Sequence, residues 1–199
     1  INADSNMPKA VFLGNDTRFL GKWFSIVMER VLTANAIQCY TVKEKIAAPT
    51  ISCYVKEAMP GKFAATLNVT ASHNPKEHNG VKLNFGDGAP AVVEFTDKIA
   101  AEIKQIQDGV NGKSVKIAQK ENSIIVTDAE MKHLEYVINK LNNLAGLNDA
   151  GSLGLFKQKA ARIGIVLDGK NTALMPVLKE LFKYYGFTNV IIINENRDV

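Results

Sequence analysis

Short apolar runs and longer stretches with apolar residues at helical spacing take turns along this chain, the pattern of strands alternating with helices. Ala10-Val11-Phe12-Leu13, ending in Gly14, predicts a buried strand. Phe24, Val27, Met28, Val31 and Leu32 predict a helix over about 20–35. The alternation over 37–42 predicts a strand. Pro49-Thr50 predicts a helix start with Thr50 as N-cap, running to about Met59 and broken by Pro60-Gly61. Residues 63–69 predict a second buried strand and 81–85 another, closed by the turn Gly86-Asp87-Gly88. Helices are expected at about 94–107 and 128–145. Further on, 162–167 predicts a strand, Asp168-Gly169-Lys170-Asn171 a turn, 172–186 a helix and 190–193 a strand.

Such alternation implies an α/β sandwich, in which ligands sit beyond the carboxyl ends of the strands. The polar residues 1–8 read as a disordered start. Composition turns rich in Asn, Gly and Ser over 142–154, which places a domain boundary there. The expected division is a first domain over 9–147, a linker over 148–160, and a second unit over 161–199. That second unit is one βαβ element with an open sheet edge, too little for a complete domain.

Length and composition narrow the function classes. With 199 residues, 46% of them hydrophobic, the chain can build a sizeable core without staples. Its two cysteines, Cys39 and Cys53, lack CxxC spacing, so neither a zinc site nor a redox pair is indicated. They fit a reducing compartment, hence an expected cytoplasmic location. No apolar run approaches the roughly 18 residues of a membrane span, so no membrane partner is expected. The net charge of +4 is scattered, which argues against nucleic acid and suits a small anionic substrate. The sequons Asn15-Asp16-Thr17 and Asn68-Val69-Thr70 lie beside predicted strand ends and read as coincidence.

Candidate chemistry gathers at Thr70-Ala71-Ser72-His73-Asn74-Pro75 and the following Asn79-Gly80-Val81-Lys82. Ser72 follows a buried strand and is a candidate nucleophile, which needs a base, a metal or a cation to activate it. His73 is its neighbour, but consecutive residues on a turn point apart, and no GxSxG elbow surrounds Ser72. A hydrolase dyad is therefore disfavoured, and on its own the segment reads as a turn or helix cap. His73 and His78 are not spaced for one helix face and read as loop histidines rather than metal ligands. Lys82 is either a solvated strand lysine or a phosphate donor and proton shuttle. Arg18, in Asp16-Thr17-Arg18, is a candidate anion clamp or the partner of Asp16. Asp168-Gly169 lacks the spacing of a phosphate loop and reads as a βα turn.

Taken together, Gly14-Asn15-Asp16-Thr17-Arg18, the Ser72-His73-Asn74-Pro75 segment and Asn79-Gly80-Val81-Lys82 resemble the α-D-phosphohexomutases, the phosphoglucomutase and phosphomannomutase superfamily, in order and in spacing. The likeness extends from about residue 9 to 195. It implies a three-layer α/β/α sandwich with a mixed sheet, followed by the first βαβ unit of a second similar domain. It also implies that Ser72 is a phosphoserine exchanging its phosphoryl group with a hexose phosphate through a bisphosphorylated sugar. By the same resemblance Lys82 is a general acid or base, Arg18 and Asn74 bind phosphate, and His73 is counted with Ser72 and Lys82 as catalytic, shaping and hydrogen-bonding around the phosphoserine. Mg²⁺ would sit on the Ser72 phosphate, with hexose 1,6-bisphosphate as activator. Lys82-Leu83-Asn84-Phe85, leading to Gly88-Ala89-Pro90-Ala91, is closer to phosphoglucomutases than to phosphoglucosamine mutases.

The family's Asp-Gly-Asp-x-Asp-Arg metal loop, its Gly-Glu-x-Ser-Gly sugar loop and its N-terminal Gly-Thr-x-Gly-x-Arg segment do not occur in this sequence. The expectation is thus an internal fragment, inactive in isolation, whose partners are a hexose phosphate and the remaining domains of its polypeptide. The competing expectation is a non-catalytic phosphate-binding or interaction module on the same fold.

Overall fold

The computed structural model describes residues 9–109 and 114–195. Five strands, β1 (Ala10–Asn15), β2 (Gln38–Thr41), β3 (Ala65–Val69), β4 (Val81–Phe85) and β5 (Ile124–Ile125), form one sheet in the order β4-β3-β1-β2-β5. All pairings are parallel except β3 with β4. The mixed α/β architecture expected from the sequence is therefore present. The disordered start expected over 1–8 lies outside the described residues.

Every residue of β1 is buried, because both faces of the sheet are covered. On one face lies α1 (Gly21–Ala34); on the other lie α2 (Ala48–Cys53), its π-helical continuation Tyr54–Ala58, and α4 (Ala129–Ala145). The second face holds the aromatic core. Phe12 packs edge-on against Tyr54 and Phe63 with centroids 5.5 and 5.8 Å apart, a favoured aromatic geometry. Gly14 belongs to the same face, where a Cβ would meet Ile46 and Ile51 side-chain carbons at 2.6 Å and both side chains would have to shift. The amphipathic helix α3 (Val93–Gln107) has no buried residue.

Three expectations change. The helix α1 is where it was expected, but Gly21, Ser25 and Glu29 are its buried residues, whereas Phe24 and Val27 are 45% and 50% exposed. The inward polar groups are partnered: Ser25 Oγ lies 3.4 Å from Gly14 O and from Asn15 Oδ1, and Glu29 accepts from Asn122 N at 3.0 Å. Thr50 is not the N-cap of α2. That position is Ala47, and Thr50 sits fully inside the first turn, its Oγ1 hydrogen-bonded to His133 Nδ1 of α4 at 2.9 Å. The stretch expected as a linker carries α5 (Ala150–Ala160), capped by Asp149, whose carboxylate accepts from Ser152 N at 2.8 Å.

Beyond α5, β6 (Gly164–Asp168) and β7 (Asn189–Ile193) pair in parallel around α6 (Met175–Tyr184), the βαβ unit expected from the sequence. Asn142 of α4 joins this unit to the first: its amide donates to Tyr184 Oη at 3.1 Å and accepts from Tyr185 Oη at 2.9 Å. No helix among the described residues is long and apolar enough to cross a membrane.

The buried His133 makes stability pH-dependent. Desolvation holds its imidazole below the ordinary value of 6.5. The folded chain thus keeps the neutral ring, and unfolding releases it to bind a proton. Its contribution is intact above 6.5 and is lost as pH falls from there through the lower folded value. His133→Gln should therefore flatten the acid limb of a Tm-against-pH curve, and an unchanged limb would remove His133 from the account.

Candidate functional site

The β3–β4 connection is a hairpin loop over residues 70–80, closed at its base by Thr70 N donating to Gly80 O at 2.9 Å. Gly80 permits that approach, since a Cβ there would lie 3.2 Å from Thr70 O. The loop leaves the carboxyl end of β3, beside the carboxyl end of β1, where open α/β sheets place their ligands.

Two residues from the β1–α1 turn hold it. Arg18, its side chain 9% exposed, is surrounded by loop carbonyls. Its Nη1 donates to Pro75 O at 2.6 Å and His78 O at 3.1 Å, and its Nη2 to Ser72 O at 2.5 Å and Asn74 O at 2.9 Å. Its Nε lies 3.3 Å from Asp16 Oδ2. The Nη hydrogens are all engaged, and Nε, buried beside the Asp16 carboxylate, makes no hydrogen bond of its own. Arg18 thus holds the loop by its carbonyls and sits beside Asp16, the partner the sequence offered for it.

Asp16 works beside it. Its Oδ1 accepts from Arg18 N at 3.0 Å and its Oδ2 from Thr70 Oγ1 at 2.6 Å. Thr70 Oγ1 in turn accepts from Ser72 N at 3.1 Å. Asn79 adds a further tether, donating to Phe19 O at 2.6 Å. Thr70 and Asn79 were not singled out as site residues from the sequence, and Asp16 only as the partner of Arg18. Their place in the three quoted motifs was the available signal.

The consequence is a serine in an uncommon backbone state. Ser72 has φ 59°, the left-handed region that favours glycine, and it is exposed. Among the described residues no hydrogen bond joins its hydroxyl to an imidazole, which leaves the hydrolase dyad without support. Ser72, His73, Asn74 and Lys76 line an open cleft of about 690 Å³ together with Asp16, Arg18 and the turn from Asp168 to Ala173. Lys82 does not line that cleft. It lies in β4 opposite Asn68 and lines a neighbouring cleft; the two meet at Ala48, Pro49 and Asn68.

Asn68 is 4% exposed, and neither polar atom of its side chain has a partner. A buried unpaired amide costs about 1–3 kcal/mol. Asn68→Leu, close in volume, is expected to leave stability unchanged or raise it by about 1 kcal/mol in urea denaturation. A clear loss would show that the amide has a partner after all.

Cys39 and Cys53 are free and buried, and burial pushes each thiol up to about 11, so neither offers a thiolate at neutral pH. As for a divalent cation, the described residues contain no group of three His, Cys, Asp or Glu able to hold one. The cleft's two carboxylates, Asp16 and Asp168, are bonded within their own turns or to the adjoining loop. Ser72 is the one oxygen ligand expected here, and alone it does not make a metal site.

The model of the phosphoglucomutase/phosphomannomutase alpha/beta/alpha domain I matches residues 2–109, more than half of the chain. The chain belongs to the phosphoglucomutase/phosphomannomutase family. Among curated members of that family, a phosphoglucomutase from Staphylococcus aureus strain N315 is 29% identical over 200 residues, spanning 98% of this chain and 32% of that protein. One from Staphylococcus saprophyticus is 23% identical over 189 residues, spanning 95% of this chain and 32% of its own length. The chain thus spans about a third of these relatives. Among solved structures, a Thermus thermophilus protein assigned as a phosphomannomutase superposes with a TM-score of 0.71 over 94% of this chain and 38% of its own, at 23% identity. A family protein from Burkholderia thailandensis gives 0.60 at 17% identity, covering 94% of this chain and 36% of that one. At those identities the superpositions establish the fold.

Proposed function

We propose that this chain is the phosphoryl-carrying part of a phosphohexomutase of the phosphoglucomutase type, with Ser72 as the phosphoserine. The observation that carries this reading is the loop itself. One arginine from a neighbouring turn fixes four of its carbonyls, and one aspartate holds the Thr70 hydroxyl that receives the Ser72 amide. The Ser72 hydroxyl is left exposed. A family motif held this firmly around a free hydroxyl is built to present that hydroxyl.

Phosphoryl transfer depends on positioning and on neutralising charge on the transferring group. In the step proposed, the bond between Ser72 Oγ and phosphorus breaks as an oxygen of a hexose hydroxyl bonds to phosphorus. The hydroxyl proton passes to a general base, and a general acid returns a proton to the departing Ser72 Oγ so that it leaves as the serine hydroxyl; Lys82 is assigned an acid or base role here by resemblance. Returning the other phosphoryl group of the bisphosphate restores phosphoserine. His73 and Lys76, within the loop, line the cleft as well and can face the phosphoryl oxygens. Arg18 acts indirectly, by keeping Ser72 in place. A cation on the phosphoserine would need ligands beyond those described, and no step is assigned to it.

Mass spectrometry of the protein isolated from its own cells, before and after incubation with glucose 1,6-bisphosphate, tests the proposal. One phosphoryl group localised to Ser72 is expected. An unmodified Ser72 under both conditions would leave the non-catalytic module as the better reading.

A further inference from the structure

The helix α1 carries its large apolar residues on the side away from the sheet. Gly21, Ser25 and Glu29 are buried, while Trp23, Phe24 and Val27 are exposed together with Leu20, the residue that caps the helix. Spacings of three and four residues put these four on one stripe. Phe19 precedes them in the β1–α1 turn, and Phe19 and Trp23 are 63% and 66% exposed. Among the described residues none of these rings packs against another, whereas Phe95 of α3 meets Phe85 with centroids 5.4 Å apart.

Leu20 is out of place for local reasons. An N-cap favours a side chain that accepts from the first turn of the helix. Leu20 makes no such bond, and its φ of 59° lies in the left-handed region, where a Cβ is strained. Asparagine or glycine would suit that backbone better, so it is the apolar side chain that the position keeps. The stripe also borders the Ser72 loop, because Phe19 O accepts from Asn79 at 2.6 Å.

An aromatic side chain presents about 150–250 Å². At these exposures the three rings, with Leu20 and Val27, leave roughly 500 Å² of apolar surface bare. Apolar patches beyond a few hundred Å² mark interaction sites. Two such patches pressed together bury roughly 1,000 Å², about what a specific interface needs before any polar rim is added. No charged residue lies on the stripe. The flanking cations Lys22 and Arg30 donate to Lys43 O at 3.5 Å and Ala118 O at 2.5 Å. Two identical faces can therefore meet without opposing like charges, whereas a lipid surface calls for cations along the polar side of the helix.

We propose that the outward face of α1 is an interface at which this chain pairs with a second copy of itself. The two α1 helices cross about a two-fold axis. The row of Trp23 and Val27 and the row of Leu20 and Phe24 lie between the same rows of the second copy, the packing in which helix axes cross at about −50°. A two-fold contact uses the same patch on both copies, so assembly closes at two. Pairing needs no phosphoryl group on Ser72.

Sedimentation of the 199-residue chain over a wide range of concentration, read beside its fluorescence, tests this. Trp23 is the single tryptophan, so the emission reports on this face alone. The mass should rise from one copy to two and stop, with the emission moving to shorter wavelength over the same range. Val27→Glu should raise the dissociation constant by about a hundredfold or more, because one substitution sets two like charges against each other in the interface. Leu20→Asn, which suits the left-handed cap, should keep the fold by circular dichroism and weaken pairing by about tenfold. Ile103→Glu, on exposed α3, should pair as the parent does. A single copy at every concentration would overturn the proposal, as would a pair whose Trp23 emission does not move or a mass that grows past two. Loss of pairing in Ile103→Glu but not in Val27→Glu would place the contact on α3 instead. A shift of emission seen only when phosphatidylglycerol vesicles are added to the single chain would give the face to a membrane and equally end the proposal.

Discussion

The Ser72→Ala protein is expected to take up no phosphoryl group from glucose 1,6-bisphosphate, while its stability in urea changes by less than about 0.5 kcal/mol. The small stability effect follows from geometry. The φ of 59° at Ser72 costs an L-residue roughly 1–2 kcal/mol because of its Cβ. Alanine keeps the Cβ and therefore the cost. The anchors, from Arg18 to Ser72 O and from Ser72 N to Thr70, are backbone contacts and survive. Ser72→Gly should remove the strain and stabilise by up to about 1 kcal/mol, again with no uptake. A residue that glycine would improve is kept for its side chain, and an observed outlier of this kind is a fair starting point for a functional hypothesis. Uptake by Ser72→Ala equal to that of the parent would place the phosphoryl group elsewhere and end the proposal.

The legible parts of this fold are those where sequence distance is short. Ala10 to Leu13 and Phe63 to Val69 are short, largely apolar segments bounded by Gly and Pro signals, and the pattern found them as buried strands. The face of α1 was not legible. Periodicity says which residues share a side, but not which side packs, and here polar Ser25 and Glu29 turn inward because backbone groups of Gly14 and Asn122 await them. The helix α5 was hidden by Gly151 and Gly154, which lower helix propensity. What offsets them is the Asp149 cap and Phe156, whose ring meets Tyr185 and Phe187 at 5.6 and 6.2 Å, beyond the end of α6. The two-residue β5 is too short to leave a pattern.

The site divides in the same way. The motifs around Ser72 were readable, and so was the pairing of Arg18 with Asp16, but the contacts of Arg18 with the loop were not. A guanidinium beside a phosphoserine motif suggests an anion clamp, and only contacts spanning 54 to 60 residues reveal that loop carbonyls occupy it.

Arg18→Ala should accordingly disable the site more than it destabilises the fold. Hydrogen bonds from a charged donor are worth roughly 1.5–3 kcal/mol when shielded, but the four loop carbonyls released here can rehydrate. A global loss of only about 1–2 kcal/mol is expected in urea denaturation. The loop itself loses its central support, so the amides of Asn74 and His78, now bonded to Ala71 O and Pro75 O, should lose hydrogen-exchange protection. Asp16 keeps Thr70 but loses its guanidinium partner, and the left-handed state of Ser72 is no longer enforced from the carbonyl side. Misplacing a reacting atom by about 1 Å can cost on the order of a hundredfold in rate, so uptake at Ser72 should fall by about that factor. Arg18→Lys is the decisive companion. A lysine keeps the charge, yet one ammonium cannot reach carbonyls on four residues from Ser72 to His78 while facing Asp16. It should therefore resemble Arg18→Ala in both loop exchange and uptake. Full activity in Arg18→Lys, with the loop amides still unprotected, would mean that Arg18 acts by charge on the phosphoryl group, and the loop-holding role would have to be given up.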